Sequence, residues 1–235
     1  MISSLDIALK VKYRLNKVDT QDDENISVYN IVEAYNKAQL NIVNRLLGKN
    51  NNYKTGIEST KKRVDDLKNL INEEPISLNI IKKEGYILTE NLPEDYYFHI
   101  RTTCKATNKK CSKKEIFIYL QEESNMNTLL RNEYTCPSFE WAETIGTLVG
   151  NKFKVYTQDK FDILKVYLTY LKIPKQIDIP GYIKKDGSPS TQIDPELYDY
   201  VIEMCIDETV RILSGDIQNQ FSNQISQQNC GYACK

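Results

Sequence analysis

The side chains able to act as acids, bases, nucleophiles or ligands are few, and their spacing joins none of them into a catalytic set. His99 is the only histidine. It lies in the alternating stretch Tyr97-Phe98-His99-Ile100-Arg101, on the face shared with Tyr97 and Arg101. A histidine base needs a nucleophile and an orienting carboxylate within reach, and no motif supplies them. It therefore reads as a packed or solvent-facing strand residue. Six cysteines are present, whereas structural zinc draws on close pairs such as two Cys-x-x-Cys knuckles. Cys104 and Cys111 flank a predicted hairpin tip, Cys136 and Cys205 are isolated, and Cys230 and Cys234 form a lone pair. A Cys104–Cys111 pair facing across a ladder is one option. Unpaired thiols are the favoured one, because no second pair completes a tetrahedron.

The acidic doublets Asp22-Asp23, Asp65-Asp66, Glu73-Glu74 and Glu122-Glu123 do not make acid/base pairs, since adjacent side chains on a helix or strand point apart. Nine glycines, well scattered, give no phosphate-cradling loop. The expectation is a protein without catalytic residues, metal ligands or a cofactor, and so not an enzyme. Lys105, Lys109, Lys110, Lys113 and Lys114 form the single basic cluster. A nucleic-acid surface normally adds aromatic or arginine residues for stacking, and this tip has none. It reads as a solvated hairpin end, as a phosphate site, or as a charge contact with an acidic patch on a neighbouring subunit.

The elements that carry these residues follow from periodicity. Ser3 or Ser4 caps a first helix with Leu5, Ile7, Ala8, Val11 and Leu15 at helical spacing. A second helix spans about Ser27 to Leu47, stopped by Gly48, and a third about Gly56 to Ile71. At Pro75 the period becomes alternating. Strands are expected at 76–80, 86–88, 96–104, 115–121, 139–148, 152–158 and 163–171, with Ile116, Ile118 and Leu120 facing a core. Asp194 reads as the N-cap of a last helix, Pro195 as its first residue, and the apolar run Leu197 to Leu213 as a helix touched on several sides. Beyond Gly215 the chain is rich in Gln and Asn, with Ile217, Phe221 and Ile225 scattered through it. That tail reads equally as a frayed end or as a segment ordering on a partner.

The division expected is therefore 1–74 helical, 75–175 β-rich, 176–215 loop and final helix, and 216–235 a polar tail. The fold class expected is α+β: a helical bundle from the N- and C-terminal segments carrying a small inserted antiparallel β-sandwich or barrel. A chain of 235 residues with 40% apolar and 27% charged residues and net charge −1 is ordinary globular material, with no spanning segment or secretory signal. The cysteines then suit a reducing cytoplasm. Residues 176–235 carry four basic against nine acidic side chains, which would repel a phosphate backbone. Sixteen tyrosines against six phenylalanines suit half-wet interfaces. Tyr182, Tyr198 and Tyr200, in and after the loop at 180–189, are the candidates for a subunit contact.

Two separated blocks carry a family resemblance. The run YLTYLKIPKQIDIPGYIKKDGSPSTQIDPELYDYVIEMCIDETVRILSGDI, together with PSFEWAETIGTLVGNKFKVYT upstream, resembles the neck ring proteins of crAss-like bacteriophages, the head-to-tail connectors of the virion. The likeness covers about Pro137 to Ile217. It implies a virion structural protein assembled in the host cytoplasm, a homo-oligomeric ring of about twelve copies (a dodecamer). It also implies docking to the portal protein and to other neck and tail rings, with genome DNA passing through without specific binding and no membrane involved. A nucleic-acid-binding β domain on a helical scaffold is the alternative reading.

Overall fold

The computed structural model describes residues 2–18, 26–47, 66–76, 81–108, 111–185 and 187–216. The chain divides into two compact units, Met1–Leu70 with Pro174–Lys235, and Ile71–Ile173.

In the first unit, α1 spans Ser4–Val18 and α2 spans Val28–Leu47. The α1 start is a reciprocal capping box. Asp6 N–H donates to Ser3 Oγ at 3.2 Å, while the Asp6 carboxylate accepts from the Ser3 N–H at 3.1 Å and hydroxyl at 2.7 Å. Ser27 Oγ caps α2, accepting from Asn30 N–H at 3.2 Å. Of the expected third helix, only Asp66 and Leu67 fall among the described helical residues. A 3-10 turn over Lys68–Leu70 follows, and Ile71 already belongs to a strand. The remainder of that expected helix, and Gly48, lie outside the described residues.

The last helix begins later than expected. α3 is Met126–Arg131 and α4 is Asp199–Asp216. Asp194 does not cap α4, because its carboxylate accepts from Ser4 N–H at 2.8 Å, an otherwise unpartnered donor at the start of α1. Asp199 likewise accepts from Ile2 N–H at 3.0 Å. α4 is then enclosed within its own chain. Val201, Ile202, Cys205, Ile206, Val210 and Leu213 are buried, and α1 and α2 pack against it. Lys10 and Arg14 bond Glu203, and Arg14 bonds Asp207 at 2.6 Å. Glu208, wholly buried, is met by Arg211 and by Arg45 at 3.2 Å. Burial alone would raise the Glu208 carboxyl, but the two guanidiniums outweigh it and leave it below its ordinary value.

The second unit is one eight-stranded sheet. In chain order its strands are β1 Ile71–Ile76, β2 Ile81–Lys83, β3 Tyr86–Asn91, β4 Tyr96–Asn108, β5 Cys111–Leu120, β6 Glu143–Val149, β7 Lys152–Tyr156 and β8 Asp162–Lys172. Their spatial order is β1-β8-β4-β5-β6-β7-β3-β2. All pairs are antiparallel except β5–β6, which run parallel with Phe117 opposite Glu143 and Tyr119 opposite Ile145. Gly85, at φ +78°, turns the β2–β3 hairpin. One apolar cluster takes Ile76, Ile87, Cys104, Ile116, Phe153 and Leu168 from six different strands. A sheet that sends inward side chains from nearly every strand to one cluster is curled on itself. Gly146 makes this closure possible: a Cβ there would stand 2.7 Å from the Phe153 ring and 2.9 Å from Ile118. On the outer face, α3 covers β6 and β7 through Met126, Ile145 and Tyr156.

The expectation of a helical bundle with a small inserted antiparallel sandwich or barrel is thus corrected. The chain is mixed α/β, with a single curled open sheet whose strands dominate the core. Two features account for the difference. β4 and β8 run 13 and 11 residues, longer than their alternation suggests, and the helix-containing crossover from β5 to β6 makes a parallel pair that no sandwich of hairpins contains.

Candidate interaction surfaces

The residues singled out in the sequence fall in separate places. Tyr182 belongs to a small hairpin in the first unit, where Ile183 bridges Pro189 and Ser190 N–H donates to Tyr182 O at 3.0 Å. Its organiser is Asp178, buried, whose carboxylate accepts from four donors. These are Tyr182 Oη–H at 2.6 Å, Lys184 Nζ at 2.8 Å, Thr191 N–H at 2.9 Å and Ile179 N–H at 2.9 Å. Burial opposes ionisation of Asp178, yet these donors outweigh it and hold the carboxyl far below the usual carboxylate range. Burial and the same bond push the Tyr182 phenol well up. The Tyr182 ring also meets Tyr29 edge-on at 5.6 Å between centroids. Tyr182 is therefore chiefly a fastening of its own loop, while Ile183, 75% exposed, is what that loop presents.

Tyr198 and Tyr200 are 42% and 45% exposed at the start of α4, with the Lys68 ammonium 4.5 Å above the Tyr198 ring. A further apolar face of the same unit runs along α1. Leu5, Leu9 and Tyr13, spaced by four, are 45%, 66% and 63% exposed, on the side opposite the buried Ile7, Val11 and Leu15. Ile217, Phe221 and Ile225 lie outside the described residues.

Of the lysine cluster, Lys109 and Lys110 also lie outside the described residues. Lys113 is exposed, while Lys114 Nζ donates to Glu140 O at 2.7 Å and Phe139 O at 3.3 Å. Lys105 stands 5.3 Å over the Tyr167 ring, as does Lys165 from the adjacent strand. The β4–β5 register sets Cys104 opposite Ile116 and Cys111 opposite Asn108, so those two cysteines do not face each other. Cys104 is a free thiol, and burial pushes it up to about 12. His99 bonds Thr102 Oγ1 through Nε2 at 2.8 Å and stacks on Phe153 at 5.9 Å. Burial lowers its pKa, which fits a packed strand residue. Ile116 and Ile118 face the core as expected, but Leu120, at the end of β5, is 37% exposed.

The most developed surface was not anticipated. On the outer face of the sheet, a cleft of about 560 Å³ is lined by Tyr119, Tyr134, Trp141, Glu133, Glu143 and Gln121, with Leu129 and Ile145 at its apolar floor. Trp141, the one tryptophan of the chain, is 81% exposed, and Tyr134 is 94% exposed. Tyr119 Oη–H donates to Glu143 at 3.2 Å, which raises the Tyr119 phenol. A single tryptophan four residues after Pro137 was the available signal, but the surrounding segment reads as a strand and so conceals it. Among the described residues no cluster of three or more His, Cys, Asp or Glu is arranged to hold a metal. No helix among them is long and apolar enough to cross a membrane. No protein-family model and no curated protein matches the chain.

Proposed function

We propose that this chain is a virion structural protein, one copy of a ring in the neck of a tailed phage, seated between portal and tail. The observation that carries the reading, beside the resemblance over 137–217, is that each unit bears its own exposed apolar surface and the two differ in kind. The α1 face is aliphatic with one tyrosine, and the cleft in the sheet unit is aromatic and acidic. A ring closed by head-to-tail contacts needs two unlike surfaces on every copy. The acidic excess after residue 176 does not itself mark a DNA passage, because Glu203, Asp207, Glu208 and Asp178 are neutralised within the chain by Lys10, Arg14, Arg45, Arg211 and Lys184. Because α4 is enclosed by its own α1 and α2, neighbouring copies are not required to cover it, and the contact falls to these other surfaces.

The alternative, a nucleic-acid-binding β domain, rests on Lys105 and Lys165 beside Tyr167 on the outer sheet face. Two measurements separate the readings. Light scattering and class averages of the purified chain, alone and with portal protein, should yield a closed ring of several copies. A chain that stays monomeric with every neck component present overturns the proposal. Salt-sensitive binding of single-stranded DNA, lost on changing Lys105 and Lys165 together, would favour the alternative.

A further inference from the structure

The cleft beside α3 is more fully built than a generic contact surface, and both of its walls are held in place. On one side Phe117 N–H donates to Ala142 O at 2.8 Å, Lys114 ties Glu140 O, and Ser138 and Glu143 exchange both backbone bonds at 2.9 and 3.2 Å. Ala142 sits at φ +59°, a conformation disfavoured for a residue with a Cβ and retained only where the surroundings enforce it. The result is that Trp141 is held out into water on a fixed loop. On the other side Tyr134 N–H donates to Asn132 Oδ1 at 3.0 Å, and Thr135 Oγ1–H donates to Leu129 O at 2.8 Å. A fixed cleft loses little freedom when it is filled.

Its chemistry is specific. Three aromatic rings and two carboxylates line it, with no lysine, arginine or histidine among the lining residues. No salt bridge among the described residues engages Glu133 or Glu143. Ring faces attract cations, and carboxylates accept the paired N–H groups of a guanidinium, whose flat delocalised charge can stack and fork at once. A neutral saccharide could stack on the rings and donate its hydroxyls to the carboxylates but would leave their two negative charges uncompensated, and a phosphate backbone would be repelled. We propose that this cleft receives an arginine side chain carried on an extended segment of a partner protein. The proposal does not depend on the neck reading, since any partner segment with that side chain satisfies it.

Because Trp141 is the sole tryptophan, its fluorescence reports directly on the cleft in the full chain. The probes are a short capped peptide with a central arginine, the same peptide with neutral citrulline, a chitin trisaccharide, and an oligothymidine. A saturable spectral shift is expected with the arginine peptide, at least tenfold weaker with citrulline and weakened by salt. The Glu133→Gln/Glu143→Gln variant should bind the arginine peptide at least tenfold more weakly, with unchanged circular dichroism and melting. Glu133→Gln alone, at an exposed position, serves as the milder variant and should show part of that loss. The proposal is overturned by no saturable response to the arginine peptide, by equal response to citrulline, by undiminished affinity in the double variant, or by saturation with only the saccharide or the oligonucleotide.

Discussion

Asp178 and Gly146 illustrate two ways in which one residue decides its surroundings. Asp178 accepts from four donors in a buried setting, so Asp178→Asn keeps the shape but leaves Lys184 without its counter-charge. Lys184 is partly solvated, so the expected cost in urea unfolding is on the order of 1–2 kcal/mol, mostly from the weakened hydrogen bonds of the buried group. Because the folded carboxyl lies below its ordinary value, its contribution is complete above about pH 4. It is lost as the pH falls from there through the folded value. Stability measured from pH 7 down to pH 2 should therefore decline in that window, less steeply in Asp178→Asn. Gly146→Ala tests packing rather than charge. Its added methyl meets the Phe153 ring, Ile118 and the Lys154 carbonyl within 3 Å, and the expected loss is about 2 kcal/mol. None of this was visible in the sequence, where Asp178 is one acid in an Ile-rich loop and Gly146 one small residue within an apolar run.

At the scale of elements, α4 makes the sharper test. Ile206 is fully buried, whereas Leu9 on α1 is 66% exposed. Ile206→Ala should cost about 3 kcal/mol in thermal or chemical unfolding, while Leu9→Lys should stay within about 0.5 kcal/mol. Helical periodicity located α1, α2 and most of α4, because each carries a stripe of apolar residues that only one conformation can bury together. It failed at the start of α4. Asp194-Pro195-Glu196 has the composition of a helix opening, but Asp194 is drawn to Ser4, 190 residues away, and no local pattern reports so distant a partner. The strands fared similarly. Alternation found most of them, but it could not show that β6 would lie parallel to β5, since pairing direction depends on the path of the connection.

For the molecule as a whole, the ring proposal predicts that either exposed surface can be disabled separately. Leu9→Lys and Trp141→Lys should each lower the assembled mass seen by light scattering while leaving the isolated chain folded. Assembly unaffected by both would move the contact elsewhere. That the period switches was legible, but not where: it is expected at Pro75, whereas β1 begins at Ile71 and holds Pro75 opposite Tyr167. Nor was the size of the sheet, because the long β4 and β8 include polar and charged residues on their outer faces that read as turn material. The helical unit is assembled from the segments on either side of the sheet, and this has a consequence during translation. α1 and α2 leave the ribosome before the sheet, whereas α4, which seals their apolar sides, is made only after all eight strands. Until then the nascent chain displays Ile31, Tyr35 and Ile42, all fully buried in the finished fold, to chaperones and to other nascent copies. The sheet, by contrast, is contiguous in sequence, and its first and last strands are direct neighbours with Ile71 opposite Leu171. It can close before α4 is made and bring the two helical segments that flank it in sequence within reach of each other.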